Sequence, residues 1–359
     1  MNPDSSKKKL LLIGAGLTHL RLIKKLVTKP LAGINISLLS THDTVGWAHR
    51  LPAFVSSNLP LESCRFSLLN LRQAANIEHI SHLPINLNIN TRQLQLKSGE
   101  YLSFDALSYN TGTEANKVET EDTLPGAREF ALFCEPFEDF AKLWPQVLSM
   151  GEGQSLRITL IGASRLGIEL ALAIRERLPK CAITLLTGKK GLASNWSPKA
   201  IALISKHMAT NKIILLPDQA LAIHRSEIIL TSSARLACDI PVITFTSPTP
   251  YWIRPLCLNF DPDGEPILLK NVVLKDQPII FAPQDNYVNA ATVLMDELSK
   301  LLTNSPALLH EKNHLNKQWL RLGPDNAMST RLGKAYQGRW IAWLKNREEQ
   351  KLENDLTST

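Results

Sequence analysis

Two short segments carry residues whose types and spacing could do chemistry. "LLLIGAGLTHLRLIKKL" (10–26) sets Gly14 and Gly16 between an apolar run and an amphipathic one, and "LRITLIGASRLGIELALAIRERL" (156–178) repeats that plan around Gly162 and Gly167. In a strand–turn–helix of this kind the first glycine permits the tight turn. The second lets the backbone approach a pyrophosphate, and the third lets the helix pack closely on the strand. The pyrophosphate then rests on the helix N-terminus, where free N–H groups and the helix dipole favour negative charge. The first turn supplies Gly14, Ala15 and Gly16 but has His19 in the third place. The second keeps Gly162 and Gly167 but has Ser164 in the second place, where a Cβ hinders close approach although the hydroxyl could itself bond phosphate.

Both segments point to binding a dinucleotide rather than to attack by a side chain. No catalytic triad or metal-ligand cluster is visible. After the second turn's next strand, a site for the unphosphorylated ribose would often carry Asp or Glu. This chain has Thr187 and Gly188 followed by Lys189 and Lys190. Two lysines suit a 2′-phosphate, and equally they suit a solvated loop.

The elements that must position these turns follow from periodicity. Leu10–Ile13, a helix to about Thr28 and "INISLLS" (34–40) make a βαβ unit with strands apolar enough for a buried parallel sheet. From Thr41 to Asn76 the periodicity is lost, and Trp47, Pro52 and Pro60 predict an irregular excursion over the sheet face. Residues 87–113 read as a β-meander with a turn at "SGE", and a polar linker (Glu114–Gly126) follows. The strand–turn–helix–strand plan then recurs from 156 to 188. This internal repeat is the strongest organisational signal in the chain. A second set of short strands spans 212–233, and "DIPVITFTS" (239–247) is expected to return the chain to the first unit. The last region, about 305–359, is rich in helix formers, and its polar end is expected to fray.

At 359 residues the chain suits two or three domains, and 44% hydrophobic with 20% charged residues is an ordinary soluble composition. No apolar run approaches the ~18–20 residues that span a bilayer. Three lysines before Leu10–Ile13 imitate a signal peptide, but the apolar run is short and no small-residue cleavage site follows, so a cytoplasmic protein is expected. The five cysteines stand singly, which predicts reduced, packed thiols rather than a zinc site or dithiol pair. The formal net charge of +7 includes a basic C-terminal stretch at 331–351. It suits an anionic cofactor or membrane surface, or simply a solvated face, and no nucleic-acid-binding module accompanies it. Within that stretch Trp340, Trp343, Leu344 and Arg347 stand at helical spacing. Such a helix could lie weakly in a membrane interface or pack on the protein's own first domain.

Two glycine-turn units, one inserted between the halves of the other, resemble the pyridine nucleotide-disulfide oxidoreductase superfamily. The similarity is to the branch near type II NADH dehydrogenases and to the flavoprotein module fused to selenide, water dikinase. In that branch the opening turn commonly reads G-G-G-H-x-H, so "GAGLTH" with His19 matches it. "LSYNTGT" (107–113) is similar to a strand ending that would put Thr111 and Gly112 near the flavin nucleotide. "LPGA" and "EPFEDFAKLW" resemble the crossover, Glu169 falls at the family's helix glutamate, and "QGRWIAWLKNREEQKLE" (337–353) is similar to the closing segment. "IIFAPQDN" (279–286) keeps Asp285 for the flavin's ribityl chain but reads Pro283–Gln284 before it, and "TFTSPTP" (244–250) replaces an A-T-G strand end. The glutamine that would face the flavin falls at Ala290 or Ala291, and no cysteine pair supports disulfide chemistry.

The resemblance implies an α/β fold of two Rossmann-like dinucleotide-binding domains plus a small C-terminal region. Residues 1–125 and 240–303 would bind FAD, 126–239 would bind NADH or NADPH, and 304–359 would carry the amphipathic helix. FAD would contact Gly14, Ala15, Gly16, His19, Thr111, Gly112 and Asp285; NAD(P) would contact Gly162, Ser164, Gly167, Glu169 and Lys189. The implied activity passes electrons from NAD(P)H to a quinone or similar acceptor. A catalytically silent nucleotide-binding or interaction protein on the same scaffold is the alternative.

Overall fold

The computed structural model describes residues 7–110, 117–189, 191–192, 196–245, 252–253, 279–281, 290–303, 318–331 and 334–357. Its frame is two five-stranded parallel sheets built alike. In the first, Lys8–Ile13 lies between Ile34–Leu39 and Ala106–Tyr109, with Glu78–Ile80 and Ile279–Phe281 at the edges. In the second, Arg157–Ile161 lies between Ala182–Leu186 and Ile240–Ile243, with Ile213–Leu216 and Leu132–Phe133 at the edges. Leu10, Leu11, Leu12 and Ile13 are all at most 3% exposed, as a strand covered on both faces requires. Burying each such side chain contributes about 1.5–3 kcal/mol.

Each glycine turn feeds a helix that packs back on its sheet: Leu17–Thr28 in the first unit and Arg165–Arg177 in the second. Antiparallel meanders of three strands accompany both units, at Pro84–Ser103 and Ala220–Ala237. The repeat therefore extends from the sheets to their satellites.

The strand Ile240–Ile243 corrects one expectation. It does not return the chain to the first unit but pairs with Arg157–Ile161 and Leu132–Phe133, completing the second sheet. Its apolar pattern fits either sheet equally, so only the pairing decides. The excursion after the first βαβ unit also differs from its expected course. Trp47, Phe66, Leu68 and Leu71 pack in the first unit's core, whereas Leu51, Val55 and Cys64 join the core of the second. The short helix Leu51–Val55 thus lies against Arg165–Arg177 and ties the two units together.

The C-terminal region holds more strand than its composition suggests. Gln318–Gly323, Asn326–Arg331 and Lys334–Gly338 form an antiparallel sheet, followed by the helix Arg339–Thr357. Cys64, Cys134, Cys181 and Cys238 are free and buried, as expected; Cys257 lies outside the described residues. Burial pushes the Cys64 thiol up to about 11, which leaves it inert at neutral pH.

Candidate functional site

The two turns share a hydrogen-bond plan. Gly14 N–H donates to Leu39 O (2.8 Å) and Gly162 N–H to Leu186 O (3.1 Å), so each turn is pinned to the end of the next strand. Asn110 N–H donates to Ile13 O (2.8 Å) and Thr244 N–H to Ile161 O (3.1 Å), which places Asn110 and Thr244 at matching positions. Gly14 has φ +88° and Gly162 φ +113°, values that glycine adopts without strain.

In the first turn Gly16 is the helix N-cap, and no side chain caps the Leu17–Thr28 helix. No acidic residue stands in its first turn either. Its leading amides are therefore suited to an anion. Gly16 is required sterically as well. A Cβ there would stand 1.9 Å from Asn110 Oδ1 and 2.8 Å from the Asn110 carbonyl, to which Gly16 N–H donates (2.9 Å). Asn110 Oδ1 is buried and has no hydrogen-bond partner among the described residues. An open helix terminus beside an unsatisfied amide fits a hydrogen-bonding anionic ligand such as a diphosphate with its ribose.

His19 does not face that ligand position. The imidazole is fully buried, with Nδ1 2.7 Å from Gly14 O and Nε2 2.8 Å from Ser108 Oγ. A carbonyl can only accept, so Nδ1 carries the proton and Nε2 accepts from the Ser108 hydroxyl. Burial lowers its pKa to about 4, against the opposing bond to Gly14, so the ring is neutral. Where a third glycine would bring helix and strand together, His19 fills the gap and bridges turn to strand.

The second turn is closed in a different way. Gly167 packs so tightly that a Cβ would lie 2.1 Å from Gly162 O. Thr244 Oγ1 donates to that same carbonyl (2.7 Å). Ser164 is the N-cap of Arg165–Arg177; its hydroxyl accepts from Gly167 N–H (3.5 Å) and donates to Thr244 O (3.2 Å). A dinucleotide at this turn must therefore compete with a serine that already caps the helix, though the serine itself is exposed.

Glu169 sits where the resemblance places it on the helix, but it is buried at 3% exposure and accepts from Arg321 N–H (2.6 Å). It thereby joins the second unit to the C-terminal sheet. Lys189 is exposed, and Gly188 N–H beside it donates to Asp218 O (3.1 Å). Hydrogen bonds from Ser232, Thr231 and the Gln219 amide hold the Asp218 carboxyl down at about 2. Thr111, Gly112, Lys190, Pro283, Gln284 and Asp285 lie outside the described residues. Ala291 is buried in the first unit's core. Sequence reading missed Ser108, Asn110 and Thr244. Their signal was present in the repeat, because Asn110 and Thr244 each follow the strand on the same side of the turn.

In the C-terminal helix the two tryptophans do not pack on the first domain. Trp340 is 66% and Trp343 47% exposed; they stack with centroids 4.9 Å apart, and Arg347 lies 5.5 Å over the Trp343 ring. Among the described residues no helix is long and apolar enough to cross a membrane, and no His, Cys, Asp and Glu cluster could hold a metal ion.

No protein-family model and no curated protein sequence matches the chain. Solved structures do. The sulfide:quinone oxidoreductase of Aquifex aeolicus superposes with a TM-score of 0.71 at 14% identity, covering 97% of this chain and 92% of that one. NDH2 from Plasmodium falciparum, solved with NADH, gives 0.71 at 12% identity over 96% and 95%. The water-forming NADH oxidase of Lactobacillus brevis, also bound to NADH, gives 0.66 at 14% identity over 90% and 75%. The chain has the fold of these oxidoreductases: two Rossmann-like units with a C-terminal region.

Proposed function

We propose that the chain is an FAD-dependent NAD(P)H oxidoreductase that passes electrons to a quinone or a similar small acceptor. The observation that carries this reading is the pair of glycine turns at matching places in two like-built sheets, the first with an uncapped helix terminus. Bound at the first turn, FAD would supply the redox chemistry, and the protein's part is to bind, orient and shield. Gly14 makes the turn, Gly16 lets Asn110 close against it, and the amides leading Leu17–Thr28 would receive the diphosphate. Thr111, Gly112 and Asp285 would complete that site from the segments beyond the described strands.

NADH or NADPH would lie at Gly162–Gly167, with the Ser164 hydroxyl turning from its cap to the phosphate. Lys189, exposed after the second strand, adds a cation for a 2′-phosphate. The NADH of two similar structures supports this ligand class. The exposed Trp340 and Trp343, with Arg347 beside them, suit weak peripheral contact with an anionic membrane, where a quinone is accessible.

One spectrum tests the core of the reading. Purified protein should be yellow, and anaerobic NADH or NADPH should bleach it; a colourless protein that takes up no FAD refutes it. Lys189→Ala should weaken NADPH about tenfold and leave NADH unchanged. Flotation with anionic liposomes should retain the full chain at low salt and release a chain ending at Gln337; equal behaviour would point to a soluble acceptor. A second reading, a catalytically silent scaffold, is favoured by the self-capped second turn. It predicts flavin uptake with no bleaching by either nucleotide.

A further inference from the structure

A cavity of about 340 Å³ lies apart from the glycine of either turn, where the helices Leu51–Val55, Arg165–Arg177 and Arg339–Thr357 meet the C-terminal sheet. The second unit's helix presents to it one face of four residues: Glu169, Leu172, Ala173 and Glu176. That face reads carboxylate, apolar, apolar, carboxylate. The seven-residue separation puts the two carboxylates about 10 Å apart along the helix axis. Leu172 and Ala173 between them are buried, so the wall joining the two charges is apolar.

The charge balance of the lining is uneven. Four glutamates, Glu169, Glu176, Glu349 and Glu353, face two guanidinium groups. Both guanidiniums are already engaged with the C-terminal helix, Arg50 with Glu353 and Arg321 with Glu349 at 2.9 Å, and the buried Lys345 behind the lining also pairs with Glu349. Glu353 also accepts from His49 (2.8 Å). Burial would raise its carboxyl, but the bonds from His49 and Arg50 outweigh that and hold it below the usual range. Among the described residues no cation pairs with the two glutamates of the second unit's helix. Glu169, 3% exposed, uses one oxygen on Arg321 N–H, and its other oxygen has no partner among the described residues. Glu176 accepts from the Asn58 side-chain amide (3.2 Å) and from no other described residue. The second oxygen of Glu169 is open to the cavity, where it can accept from a donor.

We infer that this cavity is a binding site for an aliphatic polyamine, with one ammonium on Glu169, one on Glu176 and the methylenes along Leu172 and Ala173. An inorganic cation would satisfy one end and leave the apolar wall bare. An anion would meet guanidiniums already neutralised by Glu349 and Glu353. The chain as a whole carries a net +7, so polyamine binding would not arise from general charge attraction.

Isothermal titration of the full-length protein with spermidine at low salt tests this. A single site is expected, with n-butylamine, which has one ammonium, at least tenfold weaker. Glu176→Gln should lose about tenfold or more in spermidine affinity, as removal of a charge-assisted contact requires. Glu129→Gln, an exposed carboxylate outside the cavity, should bind like the unaltered chain, and circular dichroism should report both variants folded. Absence of a heat signal, equal affinity for n-butylamine, or unchanged affinity in Glu176→Gln would each overturn the assignment. The titration needs no redox turnover, so a colourless protein would leave it intact while refuting the flavoprotein reading.

Discussion

The two glycine turns solve one packing problem with different residues, and the difference bears on what each can bind. In both, a side chain donates to the first glycine's carbonyl. The first turn supplies this donor from its own helix, through His19; the second supplies it from the strand end, through Thr244. The second turn can therefore keep glycine at the third place, and Gly167 lies directly on that carbonyl. The helix termini differ in the opposite sense. Gly16 leaves the first helix uncapped, while Ser164 caps the second. One turn leaves its leading amides without a side-chain cap, and the other has satisfied part of its own need.

The largest expected effects come from adding a side chain where the turns are tightest. Gly16→Val drives carbon into Asn110, and Gly167→Ala drives it into the Gly162 carbonyl. Each should cost about 3 kcal/mol in urea unfolding. Only the first should also release flavin; loss of flavin from both would remove the functional distinction between the turns.

Acid should reach the first turn before the second, because only the first is built on a buried imidazole. Folded His19 has its pKa lowered from 6.5 to about 4, so between those values the unfolded chain binds the extra proton. Stability is then full above pH 6.5 and falls as the pH drops towards 4, by on the order of 3 kcal/mol from this group. Unfolding measured across that window should be flatter for His19→Asn than for the unaltered chain. Identical slopes would mean that the ring is not held neutral.

Removing the serine cap is the smallest test. Ser164→Ala should cost about 1 kcal/mol, and Ser164→Gly only a few tenths. The glycine variant should bind NADH and NADPH more tightly, since the amides are freed and the Cβ is gone. Unchanged nucleotide affinity would show that the serine does not compete.

Much of this architecture was legible before any fold was known. The alternation of apolar strand, glycine turn and amphipathic helix is local, so Leu10–Leu26 and 156–178 identify themselves as repeats wherever they sit. The meanders and the buried cysteines are local in the same sense. Pairing is not local. Ile240–Ile243 is equally apolar for either sheet, and its placement in the second depends on which strand edge it meets. The spacing of Trp340 and Trp343 describes a helix face without saying whether anything covers it.

What the sequence by itself determined is the kind of chain this is: two strand–turn–helix units of one plan, with the turn residues at known places. Only the tertiary structure decided what those residues do. His19 is a bridge because Ser108, 89 positions away, lies opposite its second nitrogen. Glu169 joins the C-terminal sheet because Arg321 arrives from 152 positions further on, and the cavity beside it exists only where three helices meet. A buried polar group takes its role from the partner that satisfies it, and that partner is chosen by strand order and packing, which no local spacing encodes.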